Sequence, residues 1–425
     1  MNFRTLKSSN LFSNILSLSS IQFVNLVLPL ITIPYLITKL GIANFGLVSY
    51  IFTLMLYIVS VVDYGFTYSA TKEVSIHRND KDKLSDIFNS VQAIKVIFIT
   101  LIFIILVFSA KYLNFLNRDY ILLFIAYLIV IGQGLQSLYF FQGVEKMKFV
   151  SYFNLLSKVI YTVLIFLFIK KSEDFKLVVL FYGLTTLIPF ILGFWIIKYK
   201  FNISLQIPSL YIVKQQLRDG WSLFISNISI SILMNANIII LAYYVSMEVV
   251  GNFSVAEKLL VLSRAGLVVI LQSTYPHICL IASTKLNDAV LFTRKVFFII
   301  LFLFSLSIPV IYFGADLFSF ILTGSSNEPV SYLFQLMCFI PIIIGMNVPA
   351  SQILLALNHK RDYSFIMISA AIINILSNLL FAKMFGILGT ILSIYITEFF
   401  ISIGLYVLIK IKYPELSFFN FNGNK

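Results

Sequence analysis

Charge is what this sequence has least of. Asp, Glu, Lys and Arg make up 12% of its 425 residues, against roughly 25% in an ordinary soluble domain. Acids are the scarcer sign, 18 against 31 Lys and Arg. The only cysteines are Cys279 and Cys338, and the only histidines are His77, His277 and His359. Two cysteines in apolar stretches cannot build a disulfide framework, and a free Cys there behaves as a small hydrophobe. The histidines share no metal-ligand spacing, and no Gly-rich loop ending in Lys-Ser/Thr is present to cradle a nucleotide phosphate. These absences exclude a secreted disulfide scaffold and an ATPase. Apolar residues make up 60% of the chain, above the usual 45–50% or so, which excludes a soluble enzyme and a disordered regulator. No cofactor and no enzymatic activity are expected.

The few charges are unevenly spread. Residues 8–38, 40–62, 96–110, 120–144, 177–197, 220–247, 265–284, 296–315, 329–359 and 363–382 hold no Asp, Glu, Lys or Arg. A spanning helix needs about 20 mostly apolar residues to cross about 30 Å of hydrocarbon. The runs are continuous and do not alternate, which excludes a β-barrel. The expected fold is an all-α polytopic membrane protein with twelve spans. These lie near 15–38, 44–66, 88–110, 119–141, 150–169, 177–197, 221–245, 253–279, 292–313, 330–356, 363–382 and 387–409. The first run is too long for a cleavable signal and carries Pro29 and Pro34.

With the N-terminus inside, 20 basic residues fall in cytoplasmic segments and 7 in external loops. The positive-inside rule then places both termini in the cytoplasm. The net charge of +13 is thereby met by the anionic inner leaflet and calls for no nucleic acid. Residues 198–220 read as a cytoplasmic linker between six-helix bundles at 1–197 and 221–412, with a short cytoplasmic tail at 413–425. A weak repeat agrees: Asn44-Phe45 near the start of the second span returns as Asn252-Phe253 at the eighth. Repeated halves suggest a transporter with its path at the repeat interface.

Four bases remain inside the spans: Lys95, Lys158, Lys258 and Arg264. A charge at the centre of a spanning helix costs about 2.5–3.5 kcal/mol on insertion scales, so it marks a partner or a wet cavity. Arg264 is placed about 16 Å along the eighth span at helical rise, near the midplane. Ser254, Glu257, Val261, Arg264 and Tyr275 are expected on one stripe of that helix, lining a path or making a structural Glu–Arg link. Lys258 is close enough to the external interface to snorkel. Lys95 and Lys158 are candidate cavity bases two turns from the cytoplasmic ends of the third and fifth spans. Asp63, read near the external end of the second span, is a candidate for a coupling cation or a cap before Gly65. Polar stripes add Gln22, Asn25 and Thr32 on the first span, Ser49, Thr53, Tyr57 and Ser60 on the second, and Asn227, Ser231 and Asn235 on the seventh. Such stripes suit a sugar path, since sugars need donors and acceptors, or helix–helix hydrogen bonds. The string Asp80-Lys81-Asp82 has the form of a metal–nucleotide motif but sits in a short solvated loop.

Residues 29–35 read PLITIPY, followed by Leu40-Gly41, Phe45-Gly46, Asp63-Tyr64-Gly65 and Ser69-Ala70-Thr71-Lys72-Glu73. Further on come Phe141-Gln142-Gly143-Val144-Glu145-Lys146-Met147, Gly251-Asn252-Phe253-Ser254, Glu257-Lys258 and Tyr275-Pro276. This ordered set resembles the Wzx-type flippases. They are the polysaccharide transporter branch of the multidrug/oligosaccharidyl-lipid/polysaccharide (MOP) exporter superfamily, which also holds the MATE transporters. The resemblance implies two six-helix bundles in a V in the bacterial inner membrane. The implied substrate is an undecaprenyl-pyrophosphate-linked oligosaccharide repeat unit, moved from the cytoplasmic to the periplasmic leaflet. The polymerase and chain-length regulator of the same pathway are the implied protein partners, and Arg264, Lys95 and Lys158 the implied cavity bases. Two rivals stand beside this reading. A multidrug exporter on the same fold would favour an apolar or acidic pocket. A membrane polymerase would be expected to carry a large external loop, and the longest here is near 314–329.

Overall fold

The computed structural model of the protein describes residues 28–110, 120–282 and 285–413. These are almost wholly helical. The chain divides into two compact units, Met1–Ser231 and Ile232–Lys425. Among the described residues, ten helical segments are long and apolar enough to cross a membrane, which makes this a multi-pass membrane protein. They fall where ten of the twelve expected spans lie. The first expected span is described only at its end, the helix Leu28–Leu40, and its candidates Gln22 and Asn25 lie outside the described residues. The eighth differs from expectation in being broken, as described below.

The first unit runs α1 (Leu28–Leu40), α2 (Ile42–Asp63), α3 (Phe66–Ile76), α4 (Lys81–Ala110), α5 (Tyr120–Gly134), α6 (Leu138–Gly143), α7 (Met147–Phe168) and α8 (Phe175–Lys200). It ends within α9 (Leu210–Tyr244). A 3-10 turn, Ser172–Asp174, leads into α8. The corner between α2 and α3 is made by Tyr64 and Gly65, both left-handed at φ 48° and 78°. Gly65 is required there twice over. Its φ disfavours any side chain, and a Cβ would lie 2.9 Å from the Phe224 backbone nitrogen. Tyr64 stacks on Phe224 of α9, ring centroids 4.7 Å apart. A core of Phe66, Phe88, Val91, Tyr139, Phe140 and Ile197 joins α3, α4, α6 and α8.

Lipid is as apolar as leucine, so close packing holds such helices together. The α5–α8 contact shows it: a Cβ on Gly132 would meet Thr186 Oγ1 at 2.5 Å. Large apolar side chains such as Ile105, Phe108 and Leu167 stay exposed. In water that surface would promote aggregation, and in a bilayer it is the lipid face. Asp80, from the Asp-Lys-Asp string, accepts the Lys83 backbone N–H at 3.1 Å at the start of α4. It is a helix cap.

The second unit takes the rest of α9, then α10 (Met247–Ser263), α11 (Ala265–Ala282), α12 (Leu286–Thr323), α13 (Glu328–Leu336), α14 (Ile340–Ala356), α15 (Lys360–Phe385) and α16 (Ile387–Lys412). Gly324, left-handed, stops α12. Asn327 starts α13 by accepting the Val330 N–H at 3.1 Å, with Pro329 in the first turn, where a missing N–H costs nothing. Ile278, Ala350, Ile353, Leu354, Ala370 and Leu405 form the main core between α11, α14, α15 and α16.

The expected continuous eighth span is corrected here. Arg264 sits between α10 and α11 with φ −97° and ψ 1°, in the sparsely populated bridge region. Its own carbonyl accepts the Leu267 N–H at 3.0 Å, a tighter turn than an α-helix makes. Gly266, next but one, is a weak helix former. The single stripe from Ser254 to Tyr275 is therefore interrupted at Arg264, and Ser254 is fully buried.

Candidate functional sites in the two units

In the first unit, Lys95 on α4 is 2% exposed. Its ammonium lies 3.8 Å from Asp63 Oδ1, donates to the Gln136 carbonyl at 3.3 Å, and sits 5.4 Å from the centroid of the Tyr139 ring. Asp63 closes α2. Its carboxylate accepts the Thr67 hydroxyl at 2.9 Å and the Thr67 N–H at 3.5 Å, tying down the first turn of α3. Beside them Gln92 donates to Ser137 Oγ at 2.7 Å and to the Leu135 carbonyl at 3.2 Å. The corner between α5 and α6 thus has its backbone acceptors met by two α4 side chains, as an irregular turn at membrane depth requires.

Two expectations change. Lys95 is committed to partners of its own unit, and its reading as a base open to substrate is corrected. Asp63 realises the capping alternative and serves as the counter-ion of Lys95. It lies beside the 67–87 loop that the charges assign to the cytoplasm, so its placement at the external end is also corrected.

In the second unit, Arg264 is half-buried at its helix break. Glu257 on α10 and Glu398 on α16 are both within electrostatic reach of its guanidinium. Asn347 on α14 donates to Glu398 Oε2 at 3.0 Å, and its own oxygen accepts from Ser402 Oγ. Glu398 was missed by sequence reasoning. The signal was available, since it is the only charge between Lys383 and Lys410. Exposed Lys258 also lies near Glu257. A guanidinium of this kind can hold a planar or tetrahedral anion by charge-assisted hydrogen bonds.

A neutral network lies in the same unit. Asn378 donates to Asn237 Oδ1 at 2.9 Å, and its oxygen accepts the Thr390 hydroxyl at 3.1 Å. One turn away, Asn374 donates to the Thr397 hydroxyl at 3.2 Å. All five side chains are buried. This network escaped the stripe analysis, which favoured half-buried Asn235 over Asn237 on α9. Lys158 on α7 and Tyr57 on α2 are both half-buried.

The fold is shared with solved membrane transporters. A multidrug resistance MATE family transporter of the MOP superfamily, inward-facing, matches at a TM-score of 0.71 with 15% identity, over 95% of this chain and 98% of that one. The lipid II flippase MurJ, in an inward closed conformation, matches at 0.69 with 16% identity, over 95% and 90%. The class is thus a multi-pass membrane protein with the MOP exporter fold. Residues 11–282 match the family model described as "Polysaccharide biosynthesis protein", and the chain belongs to that family. Two relatives carry the name "Putative O-antigen transporter". The one from Escherichia coli (strain K12) is 27% identical over 387 residues, 91% of this chain and 93% of its own. The one from Shigella dysenteriae is 24% identical over 394 residues, 91% and 96%.

Proposed function

We propose that this protein is a flippase for undecaprenyl-pyrophosphate-linked oligosaccharide repeat units, O-antigen or a similar surface glycan. It carries them from the cytoplasmic to the periplasmic leaflet of the inner membrane by alternating access. The observation that carries this reading is the end-to-end likeness to two proteins named as O-antigen transporters, on a fold that a lipid II flippase shares. In the same proposal the chain crosses the membrane twelve times with both termini cytoplasmic, as bundles 1–197 and 221–412.

The physical task fits the residues. A sugar cannot cross hydrocarbon bare, because each unpaired hydroxyl costs several kcal/mol. Half-buried polar side chains, such as Tyr57 in the first unit and Asn235 in the second, can each replace water for a sugar while the lipid tail stays in the bilayer. Arg264 meets the pyrophosphate through charge-assisted hydrogen bonds. Glu257 and Glu398, within electrostatic reach, attract that guanidinium between substrates.

Inactivation of the gene followed by lipid analysis tests the reading. Complete lipid-linked repeat units accumulating on the cytoplasmic face are expected. Unpolymerised units accumulating outside would instead assign the protein to polymerisation.

A further inference from the structure

Helix α7 has two different faces. Tyr152, Leu155, Leu156, Val159 and Val163 are exposed and lie together, an apolar surface suited to lipid. Ser151, Asn154, Lys158 and Tyr161 follow one another at three- and four-residue intervals, so they share another face. These four are half-buried. That face also carries buried Met147 and Ile165, so it turns toward the protein. A polar, half-open stripe on the protein side of a membrane helix marks a wet path.

Three other helices bring side chains to its Tyr161 end. The Tyr182 ring of α8 meets the Tyr161 ring edge-on, centroids 5.2 Å apart, and Phe52 of α2 at 4.5 Å. Gln133 of α5 donates to the Tyr182 hydroxyl at 3.2 Å. That oxygen therefore acts as acceptor, and its proton is left to donate elsewhere. The Tyr161 hydroxyl stands at the half-buried end of the polar stripe. The close packing of α5 on α8 through Gly132 holds Gln133 and Tyr182 in register.

We infer that Tyr161, Tyr182 and Gln133, with Lys158 one turn before Tyr161, form a subsite of the first unit for a pyranose ring. The chemistry is that of a sugar on both counts. The C–H face of a pyranose is apolar and suits an aromatic surface. Its equatorial hydroxyls need donors and acceptors around the rim, which the two phenols, the free oxygen of the Gln133 amide and the Lys158 side chain supply. An apolar drug would use the rings alone, whereas a carbohydrate uses the rings and the polar rim together, so the constellation favours a carbohydrate.

This inference rests on the flippase reading, and the experiment separates the two. Purified full-length protein in lipid nanodiscs is titrated with farnesyl diphosphate and with farnesyl diphosphate bearing N-acetylglucosamine or glucose. Wild type is expected to bind a sugar-bearing probe about tenfold more tightly than the bare diphosphate, the scale of an aromatic contact plus a hydrogen bond. Tyr161→Ala and Tyr182→Ala should lose that increment and keep the affinity for the bare diphosphate. Tyr161→Phe, which retains the ring and guards against misfolding of the Ala variant, should lose part of it. Variants that keep the full increment, or a wild type that binds all probes equally, would overturn the subsite and leave the flippase reading standing. A wild type that binds none of the probes would overturn both.

Discussion

The Lys95 ammonium lies 3.8 Å from the Asp63 carboxylate, joining the middle of α4 to the last residue of α2. Lys95 is almost wholly buried and Asp63 is 23% exposed, so each depends on the other. Removing one partner of a buried pair typically costs about 3–5 kcal/mol, because a charge is left without compensation. Asp63→Ala and Lys95→Met are each expected to lower the melting temperature in detergent substantially. The double variant should be less destabilised than the sum of the two. Strict additivity would show that the two side chains are independent.

Arg264 offers a way to separate structure from transport. Arg264→Gln removes the cation within electrostatic reach of both Glu257 and Glu398. A loss of stability is expected, and surface glycan should disappear in complementation. Adding Glu398→Gln removes one carboxylate left without its cation and should restore part of the stability, read by thermal unfolding. Transport should stay absent, since the pyrophosphate partner is still missing. Recovery of surface glycan in the double variant would remove Arg264 from the substrate path.

Gly132→Ala tests the close packing that positions Gln133. The new methyl would lie 2.5 Å from Thr186 Oγ1 and 2.6 Å from the Thr186 carbonyl carbon. Overpacking of this kind costs about 1–3 kcal/mol. Because one clashing atom is backbone, Thr186→Ala should not rescue it. A Gly132→Ala protein with unchanged melting temperature would mean that α5 and α8 pack less tightly than described.

The charge distribution makes a further prediction about topology. Reporter fusions after residue 80, residue 205 and the C-terminus should all report the cytoplasm, and one after residue 171 the outside. Any inversion among them would contradict the proposed twelve crossings.

Helix positions were legible because a membrane imposes its own ruler. About 20 apolar residues must stand together for each crossing, and few charges interrupt them. The breaks were less visible. Arg264 is a good helix former in isolation, and only Gly266 hinted that the eighth span stops there. The partnership of Lys95 with Asp63 could not be read at all, since no helical period relates residues on different helices. Asn374 and Asn378, one turn apart, did carry a signal of a shared polar face. Their partner Asn237 was passed over because Asn235 completed a more regular stripe. Periodicity shows which residues share a face, whereas contact between helices decides whether that face is wet or closed.

The most direct test of transport uses purified protein in sealed vesicles loaded with a fluorescent diphosphate-linked oligosaccharide on a polyprenyl chain. Accessibility of the sugar to an external oxidant or lectin reports its leaflet. Protein-dependent exchange between leaflets is expected, and it should be lost in Arg264→Gln/Glu398→Gln. Vesicles that show no exchange of this lipid, while the same protein moves a cationic drug, would contradict the flippase account and favour a multidrug exporter.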